Sequence, residues 1–250
     1  MPIKIINKSN NTNYIIILAR EGSKRIKDKN LRKINGNSLV SKKIYNAIKS
    51  GIGEVFLSTN STKIKKIGSK YKINIIERPR LYSSSVATTF SYILHFLRFL
   101  KKKKIKFPDY LTVLPPTFPF LKITSIRRCF KRLTNNKKFN SISSYTHSKV
   151  HPFTMVIENK NKLLFDKIKF LNYKHKNFER TQDWPHTYNN VAAIRISKIN
   201  YFLKFLNRKS YKYINFTIDK KSCMGFKISS KESLDINNFE DLKKARKIKE

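Results

Sequence analysis

Short apolar runs alternate with longer amphipathic segments over the first 145 residues. Tyr14–Ala19 is short, continuous and rich in isoleucine, which is typical of a buried strand. Thr88–Leu100 has apolar residues at the three- and four-residue spacing of one helix face. The pattern predicts strands at Tyr14–Ala19, Glu54–Ser58, Ile73–Ile76, Tyr110–Leu114 and Ser141–Tyr145, and helices at Ser38–Ser50, Thr62–Tyr71, Thr88–Leu100 and Ile123–Leu133. This alternation predicts an α/β fold with a mostly parallel sheet covered on both faces.

The pattern changes after His147. Two short apolar segments flank a turn at Asn159–Asn161, which predicts a hairpin of Phe153–Glu158 with Lys162–Lys167. We interpret residues 147–190 or so as an inserted arm within a single domain spanning residues 1–250. Beyond the arm, the pattern predicts a strand at Ala192–Ile196, a helix at Lys198–Leu206, a strand at Tyr213–Ile218 and a last helix that begins near Asn237, with Asn237 and Glu240 as its capping box.

Composition adds an unusual charge. The chain has 55 Lys+Arg against 15 Asp+Glu, a formal net charge of +40. Lysine, asparagine and isoleucine share A/T-rich codons, so this excess is consistent with genome composition; the alternative is a polyanion-binding surface. Because the lysines spread from Lys4 to Lys249 rather than clustering, genome composition is the favoured interpretation, and no specific nucleic-acid binding is expected.

The two cysteines, Cys129 and Cys223, exclude a disulfide framework. The N-terminus lacks the apolar run of a signal peptide, and no apolar segment is long enough to span a bilayer. We therefore expect a cytoplasmic protein with no membrane partner.

The segment after the first predicted strand carries the first candidate chemistry. Residues 19–30, AREGSKRIKDKN, place Arg20, Lys24, Arg25 and Lys29 around Gly22 and Ser23. Backbone N–H groups at such a glycine can hold a phosphate, and several cations can neutralise a triphosphate. The segment matches neither the Walker motif nor G-x-G-x-x-G. On charge alone, an ordinary basic loop of a basic protein is the favoured interpretation.

The wider segment is more specific. ILAREGSKRIKDKNLRKINGNSLV (17–40) resembles the opening signature of acylneuraminate cytidylyltransferases, the CMP-sialic acid synthetase family: I-P-A-R-x-G-S-K-x-I-x-x-K-N-L followed by G-x-P-L. The resemblance continues in order through LSTNSTKI (57–64), ERPRLYSSSVATT (77–89), VLPPTFPF (113–120), His151-Pro152, RTQDWPHTYNNVAAIRI (180–196) and SLDINNFEDLKKA (233–245). Together these seven blocks extend over residues 17–245.

The resemblance implies a Rossmann-like, three-layer nucleotidyltransferase that transfers CMP from CTP to a nonulosonic acid, a nine-carbon 2-keto sugar acid, and releases pyrophosphate. It implies Mg²⁺ as the cofactor and a homodimer in which the inserted arm reaches the partner's site. Such a transfer depends mainly on positioning and charge neutralisation.

The resemblance also implies the site residues. The catalytic ones are Arg20, Lys29 and Asp235; the nucleotide-binding ones are Ala19, Gly22, Ser23, Asn30, Arg78 and Ser85; the sugar-binding ones are Gln182 and Arg180; the Mg²⁺ ligands are Asp235 and Asn237.

Several positions depart from the family pattern. Asn60 and Asn237 replace carboxylates, Pro115 replaces a glutamine, and Val191-Ala192 replace Asn-Gly. These changes leave two alternatives open: a different sugar, with the 180–183 run closer to the pseudaminic-acid branch, or a basic binding protein with a weakened site. A CMP-Kdo synthetase, which shares the fold and the CTP chemistry, is a further alternative, although Lys29-Asn30-Leu31 and the R-x-Q-D-x-P block favour the acylneuraminate side.

Overall fold

A seven-stranded sheet organises the chain. The computed structural model describes residues 12–79, 82, 88–154, 157–159, 162–164, 181–206, 219 and 222–248. The sheet has the order β11-β7-β10-β6-β1-β4-β5, and its strands are β1 (Asn13–Leu18), β4 (Glu54–Thr59), β5 (Asn74–Glu77), β6 (Tyr110–Val113), β7 (Ser141–His147), β10 (Tyr188–Lys198) and β11 (Cys223–Lys227). Only β10 runs antiparallel to its neighbours β6 and β7. The predicted, mostly parallel sheet is therefore confirmed.

Helices cover both faces of this sheet. They are α1 (Leu39–Ser50), α2 (Thr62–Lys70), α3 (Thr89–Lys102), α4 (Ile123–Thr134), α5 (Asn200–Leu203) and α6 (Phe239–Lys247). Side chains of β1 alternate between two cores, because successive strand residues point to opposite faces. Ile15 and Ile17 pack with α1 and α4, whereas Ile16 packs with α3 and α5. The result is the three-layer α/β arrangement that the sequence predicted.

Two short ribbons complete the described structure. β2 (Lys33–Ile34) pairs with β3 (Asn37–Ser38), and β8 (Ile157–Asn159) pairs with β9 (Lys162–Leu164), both antiparallel. The β8–β9 pair lies where the sequence predicted a hairpin. That residues 147–190 form a separate arm stays a prediction. Among the described residues, no helix combines the length and apolar character needed to cross a bilayer.

Three predictions near the C-terminus need correction or lie beyond the description. Residues 198–206 are helical only at Asn200–Leu203. β10 continues to Lys198, and after Leu203 the amides of Phe205 and Leu206 bond carbonyls three residues back, as in a turn. The last helix is capped by Asn238 and Asp241 rather than Asn237 and Glu240, one residue further along. β11 was not predicted. The predicted strand Tyr213–Ile218 lies outside the described residues.

A large bulge interrupts β10. Its register pairs Asn190 with Tyr145 and Arg195 with Ser143, so four residues of β10 lie opposite a single residue of β7. Within the bulge, Ala192 has a φ of 52°, in the left-handed region that glycine adopts readily. This geometry explains why a glycine suits the family pattern at this position.

Replacing Ala192 with glycine is therefore expected to stabilise the protein by about 0.5 to 1 kcal/mol, because it relieves the left-handed strain of a Cβ-bearing residue. The free energy of unfolding in urea measures the change. Ala193→Gly is the matched control, since Ala193 is fully buried and is not among the positive-φ residues. That variant should lose about 1 kcal/mol. Equal losses in both variants would contradict the strain argument.

Candidate active site at the carboxyl edge of the sheet

The loop that follows β1 is fastened at three points. The Ala19 amide donates to the Ser58 carbonyl at 3.1 Å, and the Glu21 amide donates to Oδ1 of Asn60 at 2.8 Å. Nδ2 of Asn30, a buried residue, donates to the Arg20 carbonyl at 2.9 Å. These bonds hold the loop against the ends of β1 and β4, at the edge where open α/β sheets bind ligands.

Two small residues form the tip of this loop. Gly22 has a φ of 75° and open space where a Cβ would lie, and Ser23 is half-buried. The Arg20 guanidinium donates to the Gly22 carbonyl at 3.2 Å, so the cation is held beside the tip. The local geometry suits the predicted phosphate cradle, because a glycine in this conformation lets an anion approach the backbone closely.

Asn60 acts through its acceptor oxygen. The family carboxylate at this position and the amide found here can both accept the hydrogen bond from the Glu21 amide, so this departure leaves the loop anchor in place. We expect Asn60→Asp to keep the CTP KM within about twofold of the wild-type value, because the acceptor remains.

Asn60→Ala should raise the CTP KM about five- to tenfold, the equivalent of roughly 1 kcal/mol for one lost hydrogen bond. Steady-state kinetics on both variants measures this difference. A large loss in Asn60→Asp alone would show that the charge, not the acceptor, decides the contact.

Lys29 joins this loop to the segment that carries Asp235. Its Nζ donates to the Ile236 carbonyl at 3.1 Å. Burial lowers the pKa of Lys29, and the nearby Asp235 carboxylate opposes that shift. Arg20 and Arg25 lower the same pKa as neighbouring positive charges. The three predicted catalytic residues, Arg20, Lys29 and Asp235, are thus brought into one electrostatic group.

Asp235 has one satisfied and one unsatisfied oxygen. Oδ2 accepts from Nδ2 of Asn237 at 2.9 Å, whereas Oδ1 is buried and has no hydrogen-bond partner among the described residues. The segment is anchored by the Ile236 amide, which donates to the Thr117 carbonyl at 2.9 Å.

A buried carboxylate oxygen without a partner is suited to a cation. Mg²⁺ is commonly held by one or two carboxylates, with water and substrate phosphates as its other ligands. The described residues contain no cluster of three or more acidic, histidine or cysteine side chains that could form an all-protein cage. The residues present therefore fit Asp235 as a Mg²⁺ ligand, with Asn237 fixing the orientation of its carboxylate. That the amide oxygen of Asn237 is a second ligand stays a prediction.

Arg195, which the sequence pattern did not single out, is a candidate for the site. It lies on β10 in register with Val113, the last residue of β6, directly after the bulge. Burial lowers the pKa of Arg195 to about 10, and the Asp235 carboxylate opposes that shift. The available signal was an arginine inside the otherwise apolar run VAAIRI. Asp235 thus lies within the field of two cations, Lys29 and Arg195.

Arg78 lies below the loop rather than on its surface. It is only 3% exposed; its guanidinium donates to Oγ of Ser58 at 3.2 Å and to the Ser58 carbonyl at 2.9 Å. The same group stacks 4.1 Å from the centre of the Tyr92 ring, and burial lowers its pKa to about 10. These contacts support the end of β4; the predicted nucleotide contact of Arg78 stays a prediction.

The predicted sugar-binding residues are only partly described. Gln182 lies exposed in the 3₁₀ turn Thr181–Asp183, shortly before β10. The turn is followed by Trp184, whose ring packs 4.8 Å from that of His151. Ser85 and Arg180 lie outside the described residues.

A basic, glycine-tipped loop that converges with a carboxylate at the carboxyl edge of a parallel sheet is the arrangement expected of a nucleotidyltransferase. A family model for cytidylyltransferases matches residues 14–250, so the chain belongs to the cytidylyltransferase family, as its resemblance to acylneuraminate cytidylyltransferases predicted.

Named relatives agree with this assignment. The chain is 28% identical over 184 residues to a pseudaminic acid cytidylyltransferase of Campylobacter jejuni, covering 72% of this chain and 76% of that protein. It is 34% identical over 116 residues to a CMP-N,N'-diacetyllegionaminic acid synthase of Legionella pneumophila, covering 45% and 49% respectively. A solved CMP-2-keto-3-deoxy-manno-octonic acid synthetase with CTP has a TM-score of 0.68 at 13% identity, covering 94% of this chain and 97% of that one, which shows a shared fold.

Proposed function

We propose that the protein transfers CMP from CTP to the anomeric hydroxyl of a nonulosonic acid and releases pyrophosphate. The observation that carries this proposal is the convergence of Lys29 with the Asp235 segment beside the glycine-tipped loop. The named relatives act on pseudaminic and legionaminic acids, which supports a nine-carbon 2-keto acid as the acceptor.

The positive and negative side chains of the site have different proposed roles. Arg20 and Lys29 hold and neutralise the triphosphate, with the backbone of Gly22 and Ser23 as the phosphate cradle. Asp235 and the amide oxygen of Asn237 would hold a Mg²⁺ ion, which would supply positive charge to the phosphate oxygens. Positive charge on the pyrophosphate side stabilises the leaving group, while the sugar hydroxyl attacks in line from the opposite side.

The remaining contacts complete this assignment. Asn30, Arg78 and Ser85 contact the nucleotide. Gln182 and Arg180 contact the sugar, whose carboxylate a guanidinium can bind with two parallel hydrogen bonds.

The protein works as a homodimer in the cytoplasm, with residues 147–190 as the arm that reaches the partner. The net charge of +40 attracts both anionic substrates.

CMP-Kdo synthetase activity is the second candidate, because the solved CMP-Kdo synthetase shares the fold over almost its whole length. The two candidates differ in the acceptor alone.

One assay tests the proposal. The purified protein is incubated with Mg²⁺, CTP and, separately, pseudaminic, legionaminic, N-acetylneuraminic or Kdo acid, and pyrophosphate release is measured. Release with a nine-carbon acid, together with a CMP-sugar product, is the expected result. Release with Kdo alone selects the second candidate. A folded protein that binds no CTP and releases no pyrophosphate with any acid would overturn the proposal in favour of a basic binding protein.

A further inference from the structure

Lys43 is a buried charge outside the site described above. It lies in the middle of α1, only 1% exposed, and its Nζ donates to the Phe118 carbonyl at 3.0 Å. Burial, reinforced by the positive charge of Lys42, lowers the pKa of Lys43 to about 7. A lysine in such surroundings destabilises the folded chain, since an apolar side chain of the same length would need no desolvation. A gain elsewhere is needed to explain why this lysine is present.

The bonded carbonyl belongs to the loop between β6 and α4. On its outer side this loop borders an open groove of about 650 Å³, lined in part by Tyr45, Pro119 and Phe120. The side chains of the loop pack inward, since Phe118 and Leu121 are buried in the core that α1 shares. Two polar links from α1 fix the backbone of the loop in addition: Lys43 binds near its middle, and Nδ2 of Asn46 donates to the Leu121 carbonyl at 2.8 Å near its end.

The same loop holds the catalytic segment. Thr117, the residue before Phe118, accepts through its carbonyl the hydrogen bond from the Ile236 amide at 2.9 Å. The Ile236 carbonyl in turn accepts from Nζ of Lys29 at 3.1 Å, and Asp235 is the preceding residue. Lys43 is thus connected to Asp235 through two hydrogen bonds, Lys43 to Phe118 and Ile236 to Thr117, and through two pairs of neighbouring residues, Thr117–Phe118 and Asp235–Ile236. Lys29 joins the same path at the Ile236 carbonyl.

We infer that Lys43 is a positioning residue for Asp235: by holding the Phe118 carbonyl, it fixes the loop to which the Ile236 amide is bonded. The inference rests on the proposed function of Asp235 and adds a residue of α1 to those that position the proposed catalytic group.

The test is Lys43→Met, which keeps the length of the side chain and removes the donor. We expect kcat to fall about 10- to 100-fold with the CTP KM within twofold, while the midpoint of urea unfolding stays equal or rises. Full turnover in this variant would overturn the inference. A lowered unfolding midpoint in parallel with lost turnover, or failure to fold, would also overturn it, since the role would then be one of fold stability.

Asn46→Ala is the matched control. It removes a donor to the same loop, at a carbonyl four residues beyond Thr117. We expect its kcat to stay within about threefold of the wild-type value. An equal loss of kcat in both variants would mean that any loosening of the loop suffices, and would overturn the specific role of Lys43.

Amide hydrogen exchange gives a readout that does not depend on the proposed reaction. In Lys43→Met, the Ile236 amide should exchange at least about tenfold faster, while the amides of β1 exchange as in the wild type. Unchanged exchange at Ile236 would overturn the inference even if turnover fell. Changed exchange in a protein without cytidylyltransferase activity would instead overturn only the proposed function.

Discussion

Asp235→Asn is expected to leave the protein folded and to lower its turnover by about 10³-fold or more, the equivalent of roughly 4 kcal/mol of transition-state stabilisation. The substitution keeps the shape of the side chain and an acceptor for Asn237, but it removes the only charge of the proposed Mg²⁺ ligand. The buried Oδ1 has no hydrogen-bond partner among the described residues that could take over its role.

The measurement is pyrophosphate release as a function of Mg²⁺ concentration. Excess Mg²⁺ should not restore turnover in Asp235→Asn. Asn237→Asp is the opposite variant, because it returns a second carboxylate to the site, and it should lower the Mg²⁺ concentration needed for half-maximal turnover several-fold. Turnover near the wild-type rate in Asp235→Asn would remove Asp235 from the catalytic group.

The elements of the sheet and of its covering helices could be predicted because their spacing is regular. Thr89–Lys102 places its buried residues on one face, and Asn13–Leu18 is apolar on both. β11 could not be predicted in the same way. Its sequence, Cys-Met-Gly-Phe-Lys, contains a glycine and forms an edge strand, and only its parallel pairing with β7 makes it part of the sheet.

The cap of the last helix shows where spacing alone is ambiguous. In the sequence DINNFED, Asn237 with Glu240 and Asn238 with Asp241 have the same separation. The structure uses the second pair, and the Asp241 carboxylate also accepts from the Asn237 amide at 2.9 Å. Because Asn238 caps the helix, the side chain of Asn237 is available to donate its hydrogen bond to Asp235. The choice between two equally spaced pairs therefore also decides which side chain contacts Asp235.

The candidate site was predictable where it lies on consecutive residues and not where distant elements meet. Arg20 and Lys29 follow from one loop, and that loop lies at the end of β1 as expected. Arg195 depends on a bulge of four residues that determines where β10 resumes its pairing. The nucleotide contact of Arg78 stays a prediction, and the burial of its guanidinium against Ser58 depends on the packing of β4 and α3. Hydrophobic spacing carries no information about either contact.

Lys29→Met is expected to lower kcat/KM for CTP about 10²-fold while changing the free energy of unfolding by less than about 1 kcal/mol. The triphosphate loses a cation that lies in a partly buried position, where its charge is less screened by water than at the surface. The Ile236 carbonyl also loses its hydrogen bond from Nζ. Stability changes little because Lys29 is itself disfavoured by burial, as the lowered pKa indicates.

Lys24→Met provides the matched control from the same loop. Lys24 is exposed, so water and salt screen its charge, and its loss should change kcat/KM for CTP by less than about threefold. The two variants have the same net charge, so a general attraction of CTP by the basic protein would affect both equally. Equal losses would therefore assign CTP binding to the overall charge, whereas a loss confined to Lys29→Met would assign it to the Lys29–Asp235 group.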